Sequence, residues 1–279
     1  MNLLFVTATR IGDAVLSTAL LGHLLAQHPG ARVTIACGPA AAPLFAAVPG
    51  LVRVVAMEKR RFSAHWLALW ARMVGTRWGV AVDLRGSLTT SFLLRGRAIV
   101  DRKPFPQLHR VRELAAIAGV DSLPAPRLWL APANRARAAA LLPGDAPVLA
   151  IGPAANWAAK TWPIGRFVEL VARLTAPGGE LSGARVLVAS APSEREQVAP
   201  LLAAIPRERL VDMTAGADLL DVAACLGRAR LFVGNDSGLM HVAAAAGAPT
   251  LGLFGPSPER RYAPWGRLAR AVRCPESFE

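Results

Sequence analysis

The sequence predicts an α/β protein of two halves, each a parallel sheet wrapped by helices in the Rossmann manner, facing each other across a cleft. Three observations predict it. Short apolar runs alternate with longer segments of helical period, the pattern of repeated βαβ units. That pattern stops at a stretch rich in proline, alanine and arginine over 123–147, then starts again. The 279 residues suit two bodies of about 130 to 150 residues, and 53% hydrophobic content is enough to fill two cores.

In chain order, a strand is predicted over 3–7 and a helix with one apolar face over 13–27. A strand follows over 32–36, a short helix near 40–47 and a strand over 52–55. Helix 62–74, strand 80–83, helix 88–94, strand 98–100 and a helix near 108–118 complete the first half. Prolines 124, 126, 132, 143 and 147 punctuate the next stretch, which holds a helix near 133–142. The expected division is therefore 1–130, a linker over 131–147, and 148–279. The second half reads as strand 148–151, helix 163–174, strand 184–189, helix 194–204 and strand 210–211. Helix 219–226, strand 231–233, helix 239–246 and strand 250–254 follow.

The net charge of +13 is nearly all arginine, since only Lys59, Lys103 and Lys160 are lysines. Arginine suits phosphate and carboxylate, so either an anionic partner or a general preference for arginine over lysine accounts for the excess. The clusters Lys59-Arg60-Arg61, Arg95 to Arg97 and Arg102-Lys103, continuing to Arg110 and Arg112, place it mainly in the first half. Cys37, Cys225 and Cys274 are widely spaced and form no metal-ligand pattern, which reads as reduced thiols of a cytosolic protein. The start of the chain has no basic flank and soon reaches Arg10 and Asp13, unlike a signal peptide. The apolar stretch 239–255 is too short to span a bilayer and is broken by Pro249. A soluble protein is expected, with room for contact with a membrane surface. Nucleic-acid binding would rest on charge alone and is not expected.

Three segments carry chemistry. Arg10-Ile11-Gly12-Asp13 joins the first strand to the first helix, at the carboxyl end of a strand where parallel sheets bind ligands. Gly12 lets the backbone come close, and Asp13 either caps the helix or serves as a general base for an acceptor hydroxyl. Gly152-Pro153-Ala154-Ala155-Asn156 leads into Lys160-Thr161-Trp162-Pro163, where Lys160 lies just ahead of a helix start, either solvated or able to neutralise phosphate. Trp162 is open between core anchor and ligand platform. In Gly234-Asn235-Asp236-Ser237-Gly238-Leu239-Met240-His241 a small-residue turn opens a helix whose free N–H groups suit a diphosphate. There Ser237 can donate to phosphate, while Asp236 would repel it and is expected to hold sugar hydroxyls or cap the helix. His241 is open between a ligand and a core histidine. Phe254-Gly255-Pro256 forms a loop on the same rim, and Glu194, at a helix start, either grips ribose hydroxyls or stabilises the helix dipole.

Taken together, Arg10-Ile11-Gly12-Asp13, Lys160-Thr161-Trp162-Pro163, Asn235-Asp236-Ser237-Gly238 with His241, and Phe254-Gly255-Pro256 through Trp265-Gly266 resemble the ADP-heptose:lipopolysaccharide heptosyltransferases, glycosyltransferase family 9. The resemblance covers nearly the whole chain. It implies a GT-B fold and metal-independent transfer with inversion, with no metal site and no cofactor beyond the ADP-sugar co-substrate. It also implies Asp13 as base, Lys160 on the phosphates, and a donor pocket of Asp236, Ser237, Gly238 and His241, with Gly12 and ribose-binding Glu194. The acceptor would be a lipid-linked glycan of the lipopolysaccharide core, met in the cytoplasm at the inner face of the inner membrane. The chain is short for the family and ends soon after Trp265-Gly266, so the donor site transfers more directly than the acceptor or the heptose. Two other readings stay open: a transferase of the same fold using a UDP- or GDP-sugar, and a binding protein that kept the pocket but lost transfer. A dinucleotide-dependent dehydrogenase is disfavoured, because no Gly-x-Gly-x-x-Gly turn follows the first strand.

Overall fold

The computed structural model describes residues 1–59, 61–102, 105 and 107–273; Arg60, Lys103 and Cys274 lie outside the described residues. The chain forms two compact units, Met1–Trp129 and Leu130–Glu279.

In the first unit β1 (Asn2–Val6), α1 (Ile11–Gln27), β2 (Arg32–Cys37) and β3 (Leu51–Ala56) build one side of the sheet. The chain then continues through α2 (Ala64–Met73), β4 (Trp78–Asp83), β5 (Arg95–Val100) and α3 (Arg110–Ala118). The sheet order is β3-β2-β1-β4-β5, with every pair parallel. The expected helices near 40–47 and over 88–94 are 3-10 turns instead, Pro39–Phe45 and Thr89–Phe92. The second follows from the short crossover from β4 to β5, where Leu94 already accepts from the Trp78 N–H and begins the ladder. The expected helix over 62–74 is broken at its start, because Phe62 and Ser63 are left-handed (φ 52° and 57°). One sheet face packs Leu4, Val6, Ala36 and Ala81 against Leu69 and Met73 of α2 and against Leu93.

In the second unit α4 (Pro132–Leu141) precedes β6 (Val148–Gly152), α5 (Ile164–Thr175), β7 (Arg185–Ala189), α6 (Arg195–Ala204) and β8 (Leu210–Met213). Then come α7 (Leu219–Leu226), β9 (Leu231–Asn235), α8 (Gly238–Ala245), β10 (Thr250–Phe254), α9 (Glu259–Tyr262) and β11 (Ala269–Arg273). The order is β11-β10-β9-β6-β7-β8, again all parallel. The stretch 131–147, expected as a linker, is folded into this unit. Asn134 of α4 donates to Asp221 of α7, and Arg137 pairs with the same carboxylate at 3.2 Å. The strand β11 escapes a periodicity reading because Ala-Arg-Ala-Val-Arg is an edge strand with mostly exposed positions.

Each sheet reverses its winding once. Strands are added outward from β1 to β3 and from β6 to β8, and the chain then returns to place β4 beside β1 and β9 beside β6. At such a switch point the two neighbouring crossovers diverge and leave a crevice at the carboxyl ends of the strands.

Candidate functional site

In the first unit the switch point lies between β1 and β4, and Asp13 sits in the first turn of the helix that leaves β1. The turn is fixed from below. Thr7 Oγ1 donates to Ser17 Oγ at 2.7 Å, and Ser17 Oγ donates to the Ala14 carbonyl. Gly38 lies so close beneath that a Cβ there would meet Thr9 Cα at 2.6 Å. The N-cap of α1 is Arg10, whose side chain does not cap. Asp13 is partly exposed and makes no hydrogen bond or ion pair with any described residue, so it is not a cap. The helix dipole favours its negative charge. Gly12 precedes it in the same turn and is also partly exposed.

Across the switch point Asp83 ends β4, fully buried, where it accepts from Ser87 Oγ at 2.6 Å and from the Arg85 N–H at 3.0 Å. Burial pushes its carboxyl above the ordinary range, against the pull of those hydrogen bonds. Asp83 was not singled out by sequence reasoning; its one signal is an acid closing the apolar run Val80-Ala81-Val82.

In the second unit the switch point lies between β6 and β9, and more of the expected residues converge there. Lys160 Nζ pairs with Asp236 Oδ2 at 2.6 Å, with the side chains 24% and 8% exposed. This pair answers the difficulty that Asp236 would repel phosphate, since its charge is balanced by the lysine. Asn235 is fully buried and spans the crevice: its Nδ2 donates to the Pro153 carbonyl at 2.7 Å, and its Oδ1 accepts from the Trp162 N–H at 3.0 Å. It therefore ties the loop after β6 and the segment carrying Lys160 to the end of β9. Within its motif Asn235 carries no expected role; its one sequence signal is an amide closing the run Leu231-Phe232-Val233-Gly234.

Ser237 is the N-cap of α8 in extended conformation, yet its side chain does not cap the helix. Its Oγ is buried and has no hydrogen-bond partner among the described residues. The α8 start thus keeps uncapped N–H donors from Gly238 onward beside a buried hydroxyl. His241 is buried one turn further along. Gly152, Gly234 and Gly252 are register partners on three adjacent strands. A Cβ on Gly152 would meet the Phe232 ring at 2.7 Å and one on Gly234 the Gly152 carbonyl at 2.8 Å; at Gly252 it would strike Met240 of α8. This bare strip is what lets Phe232 and α8 lie against the sheet.

Not every expected residue joins this group. Trp162 packs edge-on against Phe167, ring centroids 5.0 Å apart, and is a core anchor. The exposed aromatic of that segment is Trp157, whose carbonyl accepts from the Lys160 N–H. Glu194 closes the 3-10 turn Pro192–Glu194 between β7, the neighbour of β6, and α6, and one of its oxygens accepts from the Ala191 N–H at 2.9 Å. Cys37 and Cys225 are buried thiols, pushed up by burial to about 12 and about 11, which keeps them protonated and unreactive. No group of three His, Cys, Asp or Glu suited to a metal ion occurs among the described residues.

Two doubly wound parallel units, the second with Lys160 and an uncapped helix start at its switch point, are the architecture of the GT-B class. The chain belongs to glycosyltransferase family 9 (heptosyltransferase), whose sequence profile matches residues 62–278. It is 26% identical to lipooligosaccharide heptosyltransferase 2 of Haemophilus influenzae, over 99% of this chain and 89% of that one. Among solved structures it is similar to Escherichia coli ADP-heptose lipopolysaccharide heptosyltransferase II, with TM-score 0.77, 21% identity, and coverage of 98% of this chain and 90% of that one. It is also similar to E. coli heptosyltransferase WaaC with ADP-2-deoxy-2-fluoro heptose, with TM-score 0.70, 21% identity and coverage of 98% and 93%.

Proposed function

We propose that the chain transfers heptose from ADP-heptose to an acceptor of the lipopolysaccharide core, with inversion and without a divalent cation. The observation that carries this reading is the Lys160–Asp236 pair beside the uncapped start of α8, at the carboxyl ends of β6 and β9. A diphosphate needs a cationic donor and several N–H donors at one place, and this rim offers the Lys160 ammonium, held in place by Asp236, beside the N–H groups of α8. Relatives named as heptosyltransferases, and a neighbour solved with an ADP-heptose analogue, support the choice of donor.

In the proposed reaction Asp13 takes the proton of the acceptor hydroxyl, and that oxygen bonds to the anomeric carbon from the face opposite the diphosphate. The bond from the anomeric carbon to the diphosphate oxygen breaks, and its electron pair leaves with ADP. Lys160, the α8 N–H groups and the Ser237 hydroxyl meet the charge that develops on that oxygen, the role a cation fills in metal-dependent transferases. Asp236 holds Lys160 in place and, with Gly238 and His241, lines the donor sugar. Glu194 binds the ribose through the oxygen that Ala191 leaves free. In this reading the first unit is the acceptor side and the second the donor side, and the enzyme works in the cytoplasm at the inner face of the inner membrane.

Asp13→Asn keeps the shape and removes the base. Turnover with ADP-heptose and a lipopolysaccharide-core acceptor is expected to fall by about 10²- to 10⁴-fold, with ADP binding unchanged by calorimetry. Turnover near wild type, or loss of ADP binding, would contradict the assignment of Asp13.

A further inference from the structure

The sheet of the second unit carries a hollow at the rim opposite the Lys160–Asp236 pair. The turn 142–147 between α4 and β6 and the starts of β7 and β9 line an open hollow of about 610 Å³, whose charged side chains are Arg185, Arg228, Arg230 and Asp145. Val148 lines it and begins β6, while Gly152 ends β6 at the donor rim, four steps of about 3.3 Å further on. The hollow therefore lies at the far ends of the strands and is no part of the donor crevice.

Sheet register sets the spacing of its cations. Arg185 is the register partner of Val148, and the Arg230 N–H donates to the Val148 carbonyl from the other side. The two arginines thus flank one buried residue, their Cα atoms two strand spacings, about 10 Å, apart. Two long side chains close such a gap on one shared group. Folding accounts for only one of the three arginines: Arg228 Nη2 donates to the carbonyl of Leu142, the C-cap of α4, at 3.2 Å. Arg185 is half-buried and Arg230 exposed, and neither side chain bonds to a described residue. Arg209, at the start of the neighbouring β8, shows the alternative, since the carbonyls of Ala184 and Thr175 take up its guanidinium. Like charges gathered in one hollow repel, and Asp145, the one acid that lines it, leaves two positive charges in excess.

That excess and the forked donors match a phosphate monoester, which carries about −1.5 to −2 charges and three acceptor oxygens at neutral pH. The volume is of small-molecule size, larger than one phosphate group fills. No aromatic side chain among the described residues lines the hollow, so nothing in it would stack a nucleobase. We propose that the hollow is a second anion site, which binds a phosphorylated small molecule of the sugar-phosphate type through Arg185 and Arg230. Glucose 6-phosphate is the probe, titrated into the full chain by calorimetry, alone and with saturating ADP. Saturable binding at one site is expected, unchanged by ADP and weakened by salt, with inorganic phosphate several-fold weaker. Arg185→Ser and Arg230→Ser are each expected to lower affinity about tenfold, the scale of one charge-assisted hydrogen bond, and to melt with the wild type because neither side chain has a partner to lose. Arg207→Ser, an exposed arginine outside the hollow, should bind like the wild type. No saturable binding, displacement by ADP, equal affinity for inorganic phosphate, folded Arg185 and Arg230 variants that bind like the wild type, or an equal loss in Arg207→Ser would each overturn the proposal. Should ADP itself fail to bind, the donor reading would fall while the titration and its variants still decide this one.

Discussion

Lys160 is the one lysine of the second unit, and its ammonium is shared between Asp236 and the open rim. Removing it acts on stability and turnover together, because Asp236 is then left as a buried charge without a partner. Lys160→Ala is expected to cost about 2 kcal/mol of stability, less than for a fully buried pair because the lysine is a quarter exposed. Turnover should fall by about 10²-fold. Adding Asp236→Asn separates the two effects: the double variant should regain the melting temperature and stay slow. If it regained turnover as well, Lys160 would serve only to balance Asp236. The type and order of Lys160, Asp236 and Ser237 were legible in the sequence as a motif, but the pairing was not. It joins positions 76 apart in the chain, and nothing in spacing says that the lysine of one loop meets the acid of another. Trp162 was open for a similar reason: the neighbour that makes it a core residue, Phe167, lies in the following helix.

Among the elements, the glycine strip of β6, β9 and β10 sets how closely α8 approaches the sheet, and so where its N–H groups point. Gly234→Ala is expected to cost about 1–3 kcal/mol, lowering the melting temperature by several degrees and weakening ADP binding, since the neighbouring Gly152 carbonyl cannot retreat. Gly165→Ala is the control. Gly165 lies in α5 with open space around it, so alanine there should be neutral or stabilising by calorimetric melting. Most elements were readable because their strands are short, fully apolar runs between helical periods, as in β1 and β6. Those missed or altered are where tertiary context outweighs pattern: the edge strand β11, the short crossover over Thr89–Phe92, and α4, whose docking on α7 turns an apparent linker into part of a unit.

At the level of the whole chain, the arginines differ in how they are engaged. Arg53, Arg97, Arg110 and Arg209 are tied to carbonyls or carboxylates within their own units, so part of the +13 charge is structural. Lys59, Arg61, Arg72, Arg77 and Arg85 are exposed instead. Two units that each reverse winding once give two crevices, and the candidate groups of each unit flank its own: Asp13 and Asp83 in the first, Lys160, Asn235 and Asp236 in the second. In the proposed function the second crevice takes an ADP-sugar without a cation. Thermal stability of the full chain against ADP, UDP, GDP and their sugar conjugates, with a chelator present throughout, tests it most directly. A rise in melting temperature with ADP and ADP-heptose alone is expected; a rise with UDP or GDP ligands instead, or one that appears only when a divalent cation replaces the chelator, would overturn that reading.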